Sequence, residues 1–371
     1  TGIRANQGSG WNSMITLAPT VDYRHPKRRE VAFMAYYEAM LHTGELMQQL
    51  RLVDWYIERT TEPGELRDEQ KLWVAFLWGA TYNLTGLWAI FQTFPQMPEQ
   101  SEFADWYNSN FERIRFDTDC RYRKSKMLAC LESWRERSWN VTAKQITAGQ
   151  ARSPASNFNM LWDWSMSVKY FGRLACWNHV EAMAYVMRGR WNVDAPDLML
   201  RDISGSESNR NGVAWVTGNE HLATHHGKLH TGNTISNVQL DYLVGRADHL
   251  WARALDSLSL TVPNDMNILN FETALCWSKK MMSRTTHSRY LGWDGDRTYE
   301  EIKYLEQHWP EIETGPLWEA RDALVPRTLL CEHYPRGWHK GVDKSRMKSF
   351  HRTGRLPEVM AWQQGEMCRG S

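Results

Sequence analysis

The sequence predicts an all-α protein of many helices, with few or no strands. Three observations carry that prediction. Apolar residues recur at three- and four-residue steps through most of the chain, alternation of period two is nearly absent, and prolines close the strongest periodic stretch. The chain has 371 residues, enough for two lobes or one large domain with insertions.

Taken in order, the first expected helix covers roughly Lys27 to Leu50 and opens on the basic run Lys27, Arg28, Arg29. The clearest covers Asp68 to Phe94, where Trp73, Phe76, Leu77, Ala80, Leu84, Leu87, Trp88 and Phe91 share one face. Pro95 and Pro98 end it. Further helices fit Glu102 to Ile114, Lys124 to Arg137, Phe158 to Tyr170 and Leu174 to Met187. The later ones fit Ser236 to Leu258, Asp265 to Met282, Tyr299 to Trp309 and Leu317 to Leu324. Between Trp191 and Thr234 the composition turns polar, Gly-rich and His-bearing. Such a stretch reads as a long loop, and long loops in compact domains are usually functional or disordered.

These shifts divide the chain into an N-terminal arm (1–13, a loose arm or expression remnant), a helical lobe (14–150), a second helical lobe (151–330) and a basic tail (331–371). The tail carries Arg336, Lys340, Lys344, Arg346, Lys348, Arg352 and Arg355, which suit phosphates or a solvated surface equally well.

Composition removes several classes of function. Hydrophobic residues make up 42% and charged residues 23%, which is ordinary for a globular chain. No stretch approaches the roughly 20 apolar residues of a membrane span, and no secretory leader is visible. The six cysteines lie far apart without a CxxC pair, so they read as reduced, buried thiols. Net charge is +1, so any contact with a polyanion has to be a local patch. The 20 tryptophans are unusual; most suit a core, and a few suit stacking on bases.

Four constellations bear chemistry. Asp117 to Lys124 places Arg121, Arg123 and Lys124 just after two carboxylates, which is either a phosphate grip or an ion-paired helix start. Lys169 to Ala175 holds Gly172 between two amphipathic segments, as in a helix-hairpin-helix turn or a plain helix break. Asp202 to Gly212 joins carboxylates Asp202 and Glu207 to Arg210 in a loop of small polar residues, without a Walker ending. Glu220 to His230 holds four histidines, of which His221 and His225 are four apart. The glutamate of an HExxH motif is missing, so surface histidines are favoured over a metal site.

At these points the chain resembles a known family, the phage amino acid:DNA transferases, also called α-glutamyl/putrescinyl thymine pyrophosphorylases. The resemblance rests on an ordered set running from about His25 to Pro335. Its parts are His25–Glu30, Leu72–Gly79 with Asn83, Thr118–Lys124, Phe171–Leu174, Gly205–Gly212 and Trp318–Arg321. It implies a fold akin to helix-hairpin-helix DNA glycosylases, and an enzyme acting on double-stranded DNA that contains phosphorylated 5-hydroxymethyluracil. The amine of a free amino acid would displace the phosphate, directly or after its loss to an exocyclic methylene, with no metal or organic cofactor.

The base would leave the stack, for which Trp78, Trp88, Trp162, Trp164 and Trp215 are candidate platforms. Arg121, Arg123, Lys124 and Arg210 would hold the phosphate, with Ser206, Ser208 and Asn211 as polar loop partners, and Arg173 would pair the amino acid's carboxylate. Asp194, Asp202 and Glu207 are the candidate bases; Asp194 lies 22 residues after Gly172, near the spacing of the glycosylase aspartate. The setting implied is the cytoplasm of the infected bacterial host, with no membrane. Two other readings remain: a glycosylase-like base-excision enzyme or lesion binder, and a non-enzymatic helical phage protein.

Overall fold

The computed structural model describes residues 15–44, 46–136, 153–204, 207–259, 266–282 and 294–324, with 350, 352–356, 359–360 and 363. Among the described residues there are 13 α-helices and one two-stranded sheet, so the all-α expectation holds. No helix among them is long and apolar enough to cross a membrane.

Helix α1 (Pro26–Thr43) starts on His25, whose side chain accepts from the amide of Lys27, and ends on left-handed Gly44. That glycine splits the expected Lys27–Leu50 helix, and α2 (Gln48–Thr60), unforeseen beyond Leu50, follows. The expected helix from Asp68 to Phe94 also divides, into α3 (Glu65–Thr81) and α4 (Leu84–Thr93). The break has a local cause. Tyr82 turns left-handed at φ 47°, and the Asn83 side chain caps α4 by accepting from the amide of Gly86 at 3.1 Å. Apolar periodicity runs on across this break, which is why it was invisible.

Helix α5 (Gln100–Ser109) leads to a 3₁₀ segment (Thr118–Lys126) and α6 (Met127–Glu136). Two helices then pair as a hairpin, α7 (Pro154–Met166) and α8 (Arg173–Val186). Helix α9 (Ser208–Val216) lies inside the stretch expected to be a loop. It is followed by strands β1 (Thr224–His225) and β2 (Lys228–Leu229), paired Thr224 to Leu229 and His225 to Lys228. His226 and Gly227 between them both have positive φ, as a tight primed hairpin requires.

The chain closes with α10 (Asn237–Leu258), α11 (Ile268–Met282), α12 (Asp294–His308) and α13 (Gly315–Leu324). Ser236 and Gln239 form a reciprocal capping box at the start of α10.

Two helix pairs organise the core. Helix α3, buried along Gln70–Thr81, packs on α8, and Gly79 makes the close approach possible: a Cβ there would lie 2.7 Å from the Cβ of His179. Helix α9 packs on α11 through Gly212, where a Cβ would meet the carbonyl oxygen of Leu275 at 2.6 Å. The α3–α8 pair, together with α2 against α13 and α4 against α12, draws late helices onto early ones across the expected division near residue 150, while α9 and α11 both lie beyond it.

Candidate active site around the start of helix α9

Arg173, Asp202, Glu207, Arg210, Ser208 and Asn211 were nominated from separate motifs, and the fold gathers them at the N-terminal end of α9. Arg210 is fully buried. Its guanidinium donates to the carbonyls of Leu200 and Asp202 at 3.3 Å each, to Thr224 Oγ1 at 3.1 Å and to Glu207 Oε1 at 3.3 Å. This arginine therefore ties the 198–204 loop to α9, and differs from the open anion clamp that the sequence suggested.

Glu207 has a matching role. It accepts from Thr224 Oγ1 and the amide of His226 at 3.0 Å each, and from the amide of Gly227. Burial works against its charge, but the Gly227 amide, the Thr224 hydroxyl and Arg210 outweigh it and hold the carboxyl below its usual range. A carboxylate with its lone pairs so occupied is a poor base. Asn211 completes the frame, exchanging hydrogen bonds with the backbone of Thr224 at 2.8 and 2.9 Å. Ser208 accepts from Lys279 Nζ at 3.3 Å, while Ser206 lies outside the described residues.

Asp202 and Arg173 are different. They form a direct ion pair in which the Asp202 side chain stays 37% exposed and the Arg173 side chain 9%. Ser204 donates to Asp202 Oδ1 through its amide at 2.9 Å and its hydroxyl at 2.5 Å. Burial raises the Asp202 pKa, yet Ser204 and Arg173 together leave it below the usual carboxylate range. The Arg173 guanidinium also stands 5.6 Å over the half-buried ring of Trp162. An ionised, accessible carboxylate beside a guanidinium, walled by an indole, is what this end of the molecule offers to a ligand.

The other nominated residues lie apart from that pair. Asp194 sits at the start of α11, where its Oδ1 accepts from the amide of Ile268 at 2.8 Å. Burial pushes its pKa up to about 6, although the amides of Ile268, Leu269 and Ala195 pull the other way. Arg123 is buried and donates to the carbonyls of Ala80 at 2.9 Å and Gly79 at 3.1 Å. It closes the C-terminus of α3, where orphan carbonyls need donors. Lys124 lies 4.6 Å over the Phe111 ring, and Arg121 is exposed on the 3₁₀ segment.

Trp78, Trp88 and Trp164 are core residues. Trp88 Nε1 donates to the Glu313 carbonyl at 2.8 Å, and Trp164 stacks on Trp134 at 5.9 Å, so neither presents an open face to a base. Trp215 is half-buried beneath Arg29.

The hairpin turn also departs from expectation. Gly172 is extended, at φ −97° and ψ −179°, and Tyr170 instead takes the left-handed conformation at φ 64°. The α7–α8 pair is thus a helical hairpin whose glycine is not used for its conformational freedom. Cys120, Cys130 and Cys176 are buried, and burial pushes the thiols of Cys130 and Cys176 up to about 12. His221, His225, His226 and His230 are exposed, and no three potential ligands converge among the described residues.

Sequence reasoning missed two residues. Thr224 bridges Arg210 and Glu207, and Lys279 reaches Ser208 from α11. Each follows from tertiary packing and leaves no local signal.

The family model described as "Amino acid:DNA transferase" matches residues 44–287. The chain belongs to the amino acid:DNA transferase family. It is 42% identical over 367 residues to the "Serinyltransferase" of Salmonella phage ViI, covering 96% of this chain and 87% of that protein. No solved structure matches. The chain is therefore an enzyme, a transferase that carries an amino acid onto phage DNA, and its family match spans the whole α9 cluster, Arg173 and Trp162 included.

Proposed function

We propose that this transferase joins the amine of a free amino acid to phosphorylated 5-hydroxymethyluracil in double-stranded DNA, with serine as the amino acid and phosphate as the leaving group. The observation that carries the reading is the half-open Arg173–Asp202 pair. An α-amino acid is a zwitterion, and a carboxylate beside a guanidinium is its complement. Asp202 faces the ammonium and Arg173 the carboxylate, in a fork that can bind both oxygens.

In the reaction, Asp202 takes a proton from the ammonium and the freed nitrogen forms a bond to the 5-methylene carbon. The C–O bond to the phosphate breaks, and the phosphate leaves with that electron pair. Direct displacement and addition after elimination give the same product. With its pKa held below the usual carboxylate range by Ser204 and Arg173, Asp202 works as a base by position, the amine being held against it. Asp194, with its pKa raised to about 6 by burial, is the second base candidate in the chain. Cations hold the phosphate, and Lys279, which reaches Ser208 at the start of α9, is a candidate. Trp162 supplies the aromatic wall.

Serine is favoured because the similar phage protein is named a serinyltransferase. The setting proposed is the cytoplasm of the infected bacterial host, where phage DNA lies. The family match disfavours the base-excision and structural readings.

The test is incubation with duplex DNA carrying phosphorylated 5-hydroxymethyluracil and either serine or another single amino acid, followed by nucleoside mass spectrometry. A seryl adduct with release of phosphate is expected. Base loss, or an unchanged nucleoside with every amino acid, overturns the reading.

A further inference from the structure

The 3₁₀ segment and the α7–α8 turn are separate motifs in the sequence, and they meet in space at the turn that leads into Arg173 at the start of α8. Tyr122 Oη donates to the Tyr170 carbonyl at 3.4 Å, and Lys126 Nζ lies 5.7 Å over the Tyr170 ring. Beneath them Arg123 stands 5.6 Å over Phe171 and donates to Tyr122 Oη at 2.9 Å. The surface so formed has three unusual properties.

Its charge is mainly of one sign. Residues 118–126 and 166–173 hold six cations against one carboxylate, Asp119, in a chain whose net charge is only +1. Arg123 and Arg173 point inward, but Arg121, Lys126 and Lys169 are exposed. From outside the patch, Glu112 acts on Lys124 and Asp202 pairs with Arg173. Its aromatics face outward too: Tyr122 is 55% exposed and Tyr170 49%, whereas most large rings among the described residues are buried. Finally, Tyr170 holds a left-handed backbone at φ 64°, while Gly172 two residues later is extended. A bulky residue in that region is strained, and such strain persists where a side chain must be presented in a fixed direction.

We propose that this surface is the DNA-docking face of the transferase, with Tyr170 as the ring that enters the base stack and Lys126 and Lys169 on the flanking phosphates. The proposal rests on the reading that duplex DNA is the substrate. Exposed rings interleaved with cations fit a backbone with stacked bases, since phosphates supply the counter-charge and bases the flat apolar face. An acidic protein would match the cations and leave the rings without a partner. Insertion of Tyr170 at the target step would fill the gap left by an extrahelical base.

The experiment uses the full chain, a fluorescent duplex containing phosphorylated 5-hydroxymethyluracil with 2-aminopurine beside it, and the same duplex unmodified. Tyr170→Gly removes the ring and relieves the backbone, so the fold should be at least as stable as wild type. Affinity for the modified duplex should nevertheless fall by about tenfold or more, and the 2-aminopurine signal of an opened stack should vanish. The double variant K126A/K169A should keep that signal when saturated, while its salt slope for unmodified DNA falls by about two phosphate contacts. Wild-type affinity and signal in Tyr170→Gly, or an unchanged slope in the lysine variant, overturns the docking face. Failure of the wild-type protein to transfer any amino acid overturns the substrate reading instead, and that outcome is scored separately by mass spectrometry.

Discussion

The 3₁₀ segment with the α7–α8 turn and the α9 segment look alike as sequence: each mixes arginine with small residues around a glycine. Folded, they divide the work in opposite ways. The first turns one arginine inward, Arg123 onto the carbonyls that end α3, and leaves lysines and tyrosines outside. The second buries its arginine, Arg210, and leaves a carboxylate, Asp202, half open beside Arg173. A buried guanidinium surrounded by carbonyl oxygens acts as a fastener. Charge that remains near the surface is what a ligand can use, and the two regions expose opposite signs.

The largest effect should come from the fasteners. Arg210→Ala strips donors from two loop carbonyls, Thr224 and Glu207 at once, and leaves the Glu207 charge without its guanidinium. Breaking one half of a buried ion pair typically costs about 3–5 kcal/mol. Chemical denaturation should show a loss of that order, with activity falling only as the folded fraction falls. A variant that melts like wild type yet transfers slowly would make Arg210 a ligand contact after all. On α9's other face, Gly212→Ala puts a Cβ 2.6 Å from the Leu275 carbonyl oxygen and should separate α9 from α11, again lowering stability.

Asp202→Asn tests the open half of the comparison. The amide can still accept from Ser204, so the loop should persist and the melting temperature should move little. Loss of the carboxylate that receives the amine's proton should slow transfer by about a hundredfold or more. Raising the serine concentration should not restore the rate, because the defect lies in proton transfer as well as binding. Equal rates for the two proteins would move the base to Asp194.

How much of this was legible in the sequence differs between fold and site. Leu174 to Met187 was expected as a helix, and Arg173–Val186 is one, because amphipathic periodicity and packing demand the same thing. Residues 68–94 were expected as one helix because the apolar face continues past Tyr82, and only the cap on Asn83 marks the break. Helix α9 leaves a weak apolar signal because its first buried residues are polar: Asn209 donates to the Leu198 carbonyl at 2.6 Å, and Arg210 serves the loop, with Val213, Ala214 and Val216 buried only further on. Trp78 and Trp88 do not serve as stacking platforms for a related reason: spacing places them on one apolar face, and that face is the core. Arg173 and Asp202 were both nominated, but their pairing across 29 positions depends on a loop path that no local pattern encodes.

A pH dependence separates structural carboxylates from the site. Glu181 is buried on α8, accepting from Thr273 Oγ1 at 3.0 Å. Burial chiefly, with repulsion from Glu272, raises its pKa from 4.5 to about 8. A group that binds its proton more tightly in the native state loses stability as pH rises between the unfolded and folded values. Wild-type stability should therefore decline from about pH 5 to pH 8, and Glu181→Gln should decline less, by about 1 kcal/mol or more. Parallel curves for the two proteins would show that Glu181 ionises without cost.

The smallest effect belongs to the glycine that looked most telling. Gly172 was expected to allow a tight turn, yet it is extended at φ −97°, and a Cβ there would meet only Tyr122 Oη, at 4.0 Å. Gly172→Ala therefore introduces no strain and no overlap. Two minor terms remain. Alanine is the poorer residue before a helix, by some tenths of a kcal/mol, and it restricts the unfolded chain, which stabilises by a similar amount. They oppose each other, so the melting curve should shift by less than about 1 kcal/mol, and both DNA binding and transfer should stay near wild type. Set beside Gly212→Ala, the same methyl group distinguishes a glycine needed for helix contact from one at a permissive cap. A large loss from Gly172→Ala would mean that the turn adopts, on DNA, a left-handed conformation at residue 172 that the free protein does not show, and the strain at Tyr170 would then be relieved by binding.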